Sequence, residues 1–214
     1  MAIDLTVATW IWGKKYNGQY IARLKRGLQR GLKQPHRFVL FEPWPGDEAL
    51  FAGCFVRLRM FNPSFQRYWG IAAGVRVVCV DLDVIITGEL DPLFDRPESF
   101  CILTGANAAN PCPYNGSLIM FRAGAHWDLW QDFSLEEAAK IPKYEFPDDQ
   151  GWIAARLPNA AGWKAGSASG VYAFKKPGWP KGDALPGDAR MVCFPGARDP
   201  SQFTHLSWVK EYWR

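Results

Sequence analysis

The chain has 214 residues, of which 48% are hydrophobic and 21% charged, with a net charge of +4. Such a composition belongs to a globular chain of about one domain and excludes a disordered or collagen-like polymer. The charge is too mild to point to nucleic acid as a partner, but it is uneven: residues 1–37 carry eight cations and one acid, a balance of +7, and the remainder carries −3.

Ile3 to Thr9 alternates and is rich in β-branched residues, which predicts a first strand running into the loop Trp10 to Lys15. Tyr20, Ile21, Leu24, Leu28 and Leu32 then recur at helical spacing, with Arg23, Arg26, Arg30 and Lys33 on the rest of the wheel. Pro35 stops this helix, and Arg37 to Phe41 is a second short strand ahead of the turn Pro43 to Gly46. Val75 to Val80 is almost wholly apolar, as expected of a strand buried on both faces, and Phe100 to Thr104 and Ser117 to Phe121 are alike. Trp127 to Lys140 and Asp149 to Arg156 are expected as helices. Residues 156–190, with six glycines and four prolines, are expected to be mostly irregular backbone. Arg190 to Phe194 restores a strand, and Leu206 to Arg214 closes the chain as a helix. Strands separated by helical stretches predict an α/β fold, a mostly parallel central sheet flanked by helices in a single domain spanning 1–214.

No run approaches the roughly 18 uncharged apolar residues of a membrane span, and Met1 to Trp12 lacks the cationic start of a signal peptide, so a cytoplasmic location is expected. Cys54, Cys79, Cys101, Cys112 and Cys193 are scattered and without C-x-x-C spacing, and are read as reduced thiols of the core.

The strongest chemical signal is Val77 to Gly88, in which Asp81-Leu82-Asp83 follows a buried strand. In extended backbone residues i and i+2 face one way, so the two carboxylates can meet one point at the strand's end. That pair suits a hard divalent cation, Mn²⁺ or Mg²⁺, which takes oxygen ligands and is commonly completed by substrate phosphates. Two acids that merely end a strand and face water are the plain alternative.

The stretch Phe55 to Pro63 with Arg57, then Val75 to Gly88, then Glu89 to Phe94, resembles the donor-site core of nucleotide-sugar glycosyltransferases of the GT-A fold. It is most similar to the glycogenin-like family (family 8) and to related small bacterial and viral enzymes. Thr9 to Tyr16 resembles that family's first-strand loop, Tyr114 to Ser117 its [FY]-N-[AST]-G segment, Asp148 to Gln150 its D-Q, and Val192 to Gly196 with Pro200 its terminal H-F-x-G-x-x-K-P. The matches keep the family's order and cover nearly the whole chain.

The resemblance implies a Rossmann-like GT-A domain that moves a sugar from a nucleoside diphosphate donor, expected to be a UDP-sugar, to a glycan, lipid or protein acceptor with retention of configuration. It implies that Asp81, Leu82 and Asp83 sit at the metal and diphosphate, and that Arg57 is a second electrophile; a surface arginine beside Arg59 is the alternative. Thr9, Trp10 and Tyr16 would hold the nucleoside, although Trp10 could equally be core. Asn115 and Asp149 would meet the sugar and carry the catalytic roles, with Asp148 or Asp149 also capping the helix that follows. Where the family has a metal-ligating histidine this sequence has Cys193, a soft ligand for a hard ion; His205 is the candidate third ligand, with a surface or structural histidine beside Trp208 as the alternative.

Two other functions compete. A hydrophobic strand followed by Asp-x-Asp is also the nucleophile motif of haloacid-dehalogenase-like phosphatases, but here it begins some 80 residues into the chain and lacks the Gly and Thr that should follow. A transferase decayed to a non-catalytic nucleotide- or sugar-binding module is the other. The basic helix also allows a weak contact with an anionic membrane surface.

Overall fold

The structure, a computed structural model, describes residues 4–106, 112–141 and 147–214; Ile3, the expected start of the first strand, lies outside them. Its strands are β1 (Leu5–Trp10), β2 (Arg37–Phe41), β3 (Arg76–Val80), β4 (Val84–Ile86), β5 (Phe100–Thr104), β6 (Tyr114–Arg122), β7 (Ala161–Lys164), β8 (Val171–Ala173) and β9 (Met191–Cys193). Its α-helices are α1 (Gly18–Gly31), α2 (Pro63–Tyr68), α3 (Asp91–Phe94), α4 (Asp128–Gln131), α5 (Leu135–Lys140), α6 (Asp149–Arg156) and α7 (Ser207–Tyr212).

Six strands form a sheet in the order β2-β1-β3-β6-β5-β7, and β4-β9-β8 form a small second one. In the large sheet every strand runs the same way except β6, which is antiparallel to both β3 and β5. The α/β layering and mostly parallel sheet expected from the strand pattern are what the chain adopts. Both faces of the sheet are covered, which is why β1 and β3 lack an alternating polar face. Val77 and Cys79 pack with Phe41, Phe61 and Phe65 on one side. Val78 and Val80 pack with Leu24, Leu28 and Ile86 on the other. There α1 comes very near the small sheet: a Cβ at Gly31 would stand 2.6 Å from the Gly88 carbonyl, so only glycine allows that approach.

Two expectations are corrected and one is refined. Trp127 to Lys140 is two short helices, because Ser134 interrupts the turn and caps α5 by accepting from the Glu137 amide at 3.1 Å. The glycine-rich stretch 156–190 is mostly irregular, as expected, but holds two short strands: β7 forms the edge of the large sheet beside β5, and Gly162 sits against the Ile102 carbonyl where a Cβ would be 2.6 Å away. The acidic pair is not held in extended backbone: Leu82 and Asp83 form a turn that leads from β3 into β4.

The basic face of α1 is largely engaged. Arg26 and Arg30 donate to the carbonyls of Arg214 and Tyr212, each at 2.6 Å, and Arg23 lies over the Trp213 ring at 3.9 Å. These cations meet the negative end of α7. Among the described residues no helix is long and apolar enough to cross a membrane.

Candidate active site

Beyond the carboxyl end of β3 lies a cleft of about 650 Å³. Strand register builds it. Val80 pairs with Leu118 of the antiparallel β6, and the Asp81 amide donates to the Ser117 carbonyl at 3.1 Å, so the start of β6 stands beside the acidic pair. The β5–β6 ladder then breaks: Ile102 pairs with Ile119 but Leu103 with Asn115, a bulge at the edge of the cleft.

Asp81, Leu82 and Asp83 all line this space, as do Tyr16, Arg57, Asn115 and Asp149. The Asp83 side chain is 9% exposed, and its Oδ2 accepts from Tyr16 at 2.5 Å and from Lys15 Nζ at 3.1 Å. Burial and the charge of Asp81 push its carboxyl up to about 6, against the pull of Tyr16 and Lys15. Burial and that same carboxylate push the Tyr16 phenol far above its ordinary value.

Arg57 is the buried centre of the cleft wall. Its guanidinium lies 3.4 Å from Asp81 Oδ1 and 3.5 Å from Asp149 Oδ2, and it donates to the Gly116 carbonyl. The reading of Arg57 as a surface arginine is thereby excluded; Arg59 points elsewhere, to Asp47 between Trp44 and Trp130. The approach depends on Gly116, where a Cβ would stand 2.6 Å from the arginine Nη1. Asp149 is 1% exposed, and burial raises its carboxyl to about 7 even with Arg57 beside it.

Asp148 is the cap of α6, accepting from the Gly151 amide at 2.7 Å, and it lines the cleft together with Asp149. Gln150 ties the two segments together by accepting from the Gly116 amide at 2.9 Å and donating to Asp148 at 2.9 Å. Asn115 is buried at the cleft edge, its Oδ1 accepting from the Ser117 amide at 3.0 Å.

Three expected site residues are placed otherwise. Thr9 is fully buried in β1 and is not among the residues lining the cleft. Trp10 reaches the cleft edge but is a core side chain, 4% exposed and stacked on Phe65 at 5.3 Å. His205 is exposed, beyond the cleft lining, so the structure does not bring it to the acidic pair. Cys193 is wholly buried in β9, where burial foremost, then Asp81 and Asp83, hold its thiol protonated.

Sequence reading missed three features. Lys15 faces Asp83, and Trp12 and Phe194 wall the cleft. The third is the turn that aims Arg57: the 3₁₀ segment Ala52–Phe61 is kinked at Gly53 and Cys54, with φ of 69° and 58°. The glycine is a signal of that kink, whereas a left-handed cysteine leaves none.

Asp81 directly follows β3 and Asp83 closes the turn into β4, so both carboxylates line the cleft, and their mutual repulsion is what a divalent ion would relieve. Among the described residues no group of three or more His, Cys, Asp or Glu side chains is placed to hold a metal. The two carboxylates are oxygen donors of the kind a hard divalent ion takes.

The architecture is shared with solved glycosyltransferases. A galactosyltransferase, LgtC, in complex with donor and acceptor sugar analogues, matches with a TM-score of 0.60 at 10% identity over 98% of this chain and 96% of that one. A glycosyltransferase involved in glycosylation of the major capsid of PBCV-1 matches with a TM-score of 0.61 at 14% identity, over 90% and 94% of the two chains. This is the GT-A fold. The glycosyltransferase GlyE of Streptococcus pneumoniae TIGR4 also shares it, with a TM-score of 0.62 at 11% identity, over 98% of this chain and 63% of that one. No protein-family model matches the sequence, and no curated protein matches it significantly.

Proposed function

We propose that this protein is a glycosyltransferase that takes a nucleoside diphosphate sugar, with UDP as the nucleotide, into the cleft at the end of β3 and transfers the sugar to a glycan, lipid or protein acceptor. The observation carrying the reading is convergence: Asp81, Asp83, Arg57, Asn115 and Asp149, separated by up to 92 residues in sequence, line one cleft in a GT-A architecture.

Departure of a sugar leaves negative charge on the β-phosphate, and catalysis needs cationic groups fixed where that charge grows. Asp81 and Asp83 are the residues that would hold a divalent ion, Mn²⁺ or Mg²⁺, which when bound supplies Lewis-acid stabilisation of the diphosphate. Arg57 adds a fixed guanidinium whose position is locked by Gly116, Asp81 and Asp149. Tyr16 orients Asp83 through its short hydrogen bond. Asn115 offers a carboxamide to sugar hydroxyls, and Asp149, beside Arg57, lines the same cleft. Retention of anomeric configuration is proposed from the resemblance to the glycogenin-like enzymes.

The test is release of sugar from UDP-sugars, followed with and without Mn²⁺, together with UDP binding by calorimetry. Metal-dependent release in the wild type and loss of metal-dependent UDP binding in Asp83→Asn are expected. UDP binding that is equal with and without metal, in both proteins, overturns the metal site. UDP binding without any turnover favours the non-catalytic module, and hydrolysis of simple phosphomonoesters favours the phosphatase.

A further inference from the structure

The acidic pair is already faced by cations of the chain, and the two differ in whether they can leave. Arg57, against Asp81, is buried and held by three partners. Lys15, against Asp83, has a side chain that is 52% exposed. Its Nζ is 3.1 Å from Asp83 Oδ2 and 4.6 Å from the centre of the Tyr16 ring. Lys15 stands in the loop between β1 and α1, on the rim of the cleft, at the end of a flexible four-carbon stem.

An ion shared by Asp81 and Asp83 must draw on the same carboxylate that the ammonium now neutralises. Cations placed a few ångströms apart in a partly shielded cleft repel, and the half-exposed ammonium, unlike the buried Arg57, can move away, so it competes with a divalent ion for Asp83. Once displaced, the ammonium keeps its place on the rim, where the anion nearest to it would be a diphosphate seated on the ion. A compact ammonium with three donors is a common partner for phosphate oxygens.

We propose that Lys15 is a resident counter-cation of the Asp81–Asp83 site, exchanged for a divalent ion when a nucleoside diphosphate binds, and thereafter a ligand of that diphosphate. The nucleotide in both halves rests on the transferase reading above, whereas competition between the ammonium and an ion at Asp83 is read from Mn²⁺ alone. Metal alone must displace Lys15 without compensation, whereas metal with diphosphate gives the ammonium a new partner. Ion and nucleotide therefore strengthen one another's binding, as linkage requires of any such coupling.

Calorimetric titration of the full chain with Mn²⁺ alone, and with UDP at saturating Mn²⁺, tests the exchange in wild type, Lys15→Met and Lys15→Arg. In Lys15→Met, Mn²⁺ alone is expected to bind at least about tenfold more tightly and UDP with Mn²⁺ at least about tenfold more weakly, a tenfold step being the smallest that changes binding by a full order. Lys15→Arg, which keeps the charge, is expected to stay near wild type in both. Thermal melting of each variant verifies the fold, since a half-exposed lysine contributes little to it. Unchanged or weaker Mn²⁺ affinity in Lys15→Met, including no detectable binding, overturns the exchange. Tighter Mn²⁺ with unaltered UDP affinity overturns the role on diphosphate. If wild type binds no UDP under any condition, the transferase reading fails, and the nucleotide-free Mn²⁺ titrations still decide the exchange at Asp83.

Discussion

Arg57 and Lys15 each face one carboxylate of the same acidic pair, and they differ chiefly in their access to water. The arginine side chain is 6% exposed and the lysine side chain 52%. A buried guanidinium cannot leave without stranding charge in a poorly solvated site, so it acts as part of the framework. A half-exposed ammonium is rehydrated as it leaves, which makes the same kind of ion pair a replaceable contact. The chemistry of the two contacts is alike, and burial separates scaffold from moving part.

The contrast breaks first at Arg57. Arg57→Met is expected to destabilise the protein by about 3 kcal/mol, the lower end for loss of one member of a buried ion pair, since Asp149 can shed its charge by taking a proton. Lys15→Met should cost under about 1 kcal/mol. Urea unfolding of both variants measures the difference, and equal losses would erase the distinction. Next in size is Gly116→Ala, whose new methyl would stand 2.6 Å from the Arg57 Nη1. A loss of about 1–3 kcal/mol is expected, as for overpacking in a tight site, and UDP affinity should fall with it because the guanidinium shifts.

The smallest effect sharpens the comparison through pH. The Asp83 carboxyl lies near 6 in the folded chain against an ordinary value of 3.8, so the folded state holds the proton more tightly than the unfolded one. That stabilisation is complete below about pH 4 and is lost as pH rises through about 6. Asp149 acts in the same direction, near 7. The melting temperature should therefore decline between pH 5 and pH 8, and Asp83→Asn should decline less steeply over the lower half of that window. A wild-type curve that rises across the window would mean that Lys15 and Arg57 outweigh burial at both acids.

Much of this arrangement was legible in the residues. The apolar runs at Arg76–Val80 and Phe100–Thr104 could bury both faces only in a covered sheet, whereas the alternation read in the first strand did not announce that Leu5–Trp10 is buried throughout. The order of short motifs drew Asp81, Asp83, Arg57, Asn115 and Asp149 to one place before their geometry was in view. What escaped was settled by tertiary contact. Lys15 and Lys14 look alike as neighbours in a loop, and only the fold sets one of them on Asp83. His205 looked near the site because it follows β9 by a dozen residues, but the chain turns through the 3₁₀ segment Pro200–Phe203 and leaves it exposed. Ala161–Lys164 has a glycine and a lysine among four residues and becomes a strand because β5 offers it an edge.

The clasp between α1 and the end of α7 also imposes a schedule on synthesis. Its hydrogen bonds join residues 182 and 188 positions apart, Arg30 to Tyr212 and Arg26 to Arg214. At about 5–20 residues per second, the first helix leaves the ribosome roughly 10 to 40 s before the segment that receives its arginines has been made. During that interval its cations remain solvated, and the aromatic cluster of the small sheet still lacks Trp208 and Trp213. Helix α7 thus closes a cluster whose other members are made before it, and until it has been made those aromatic side chains lack their cover.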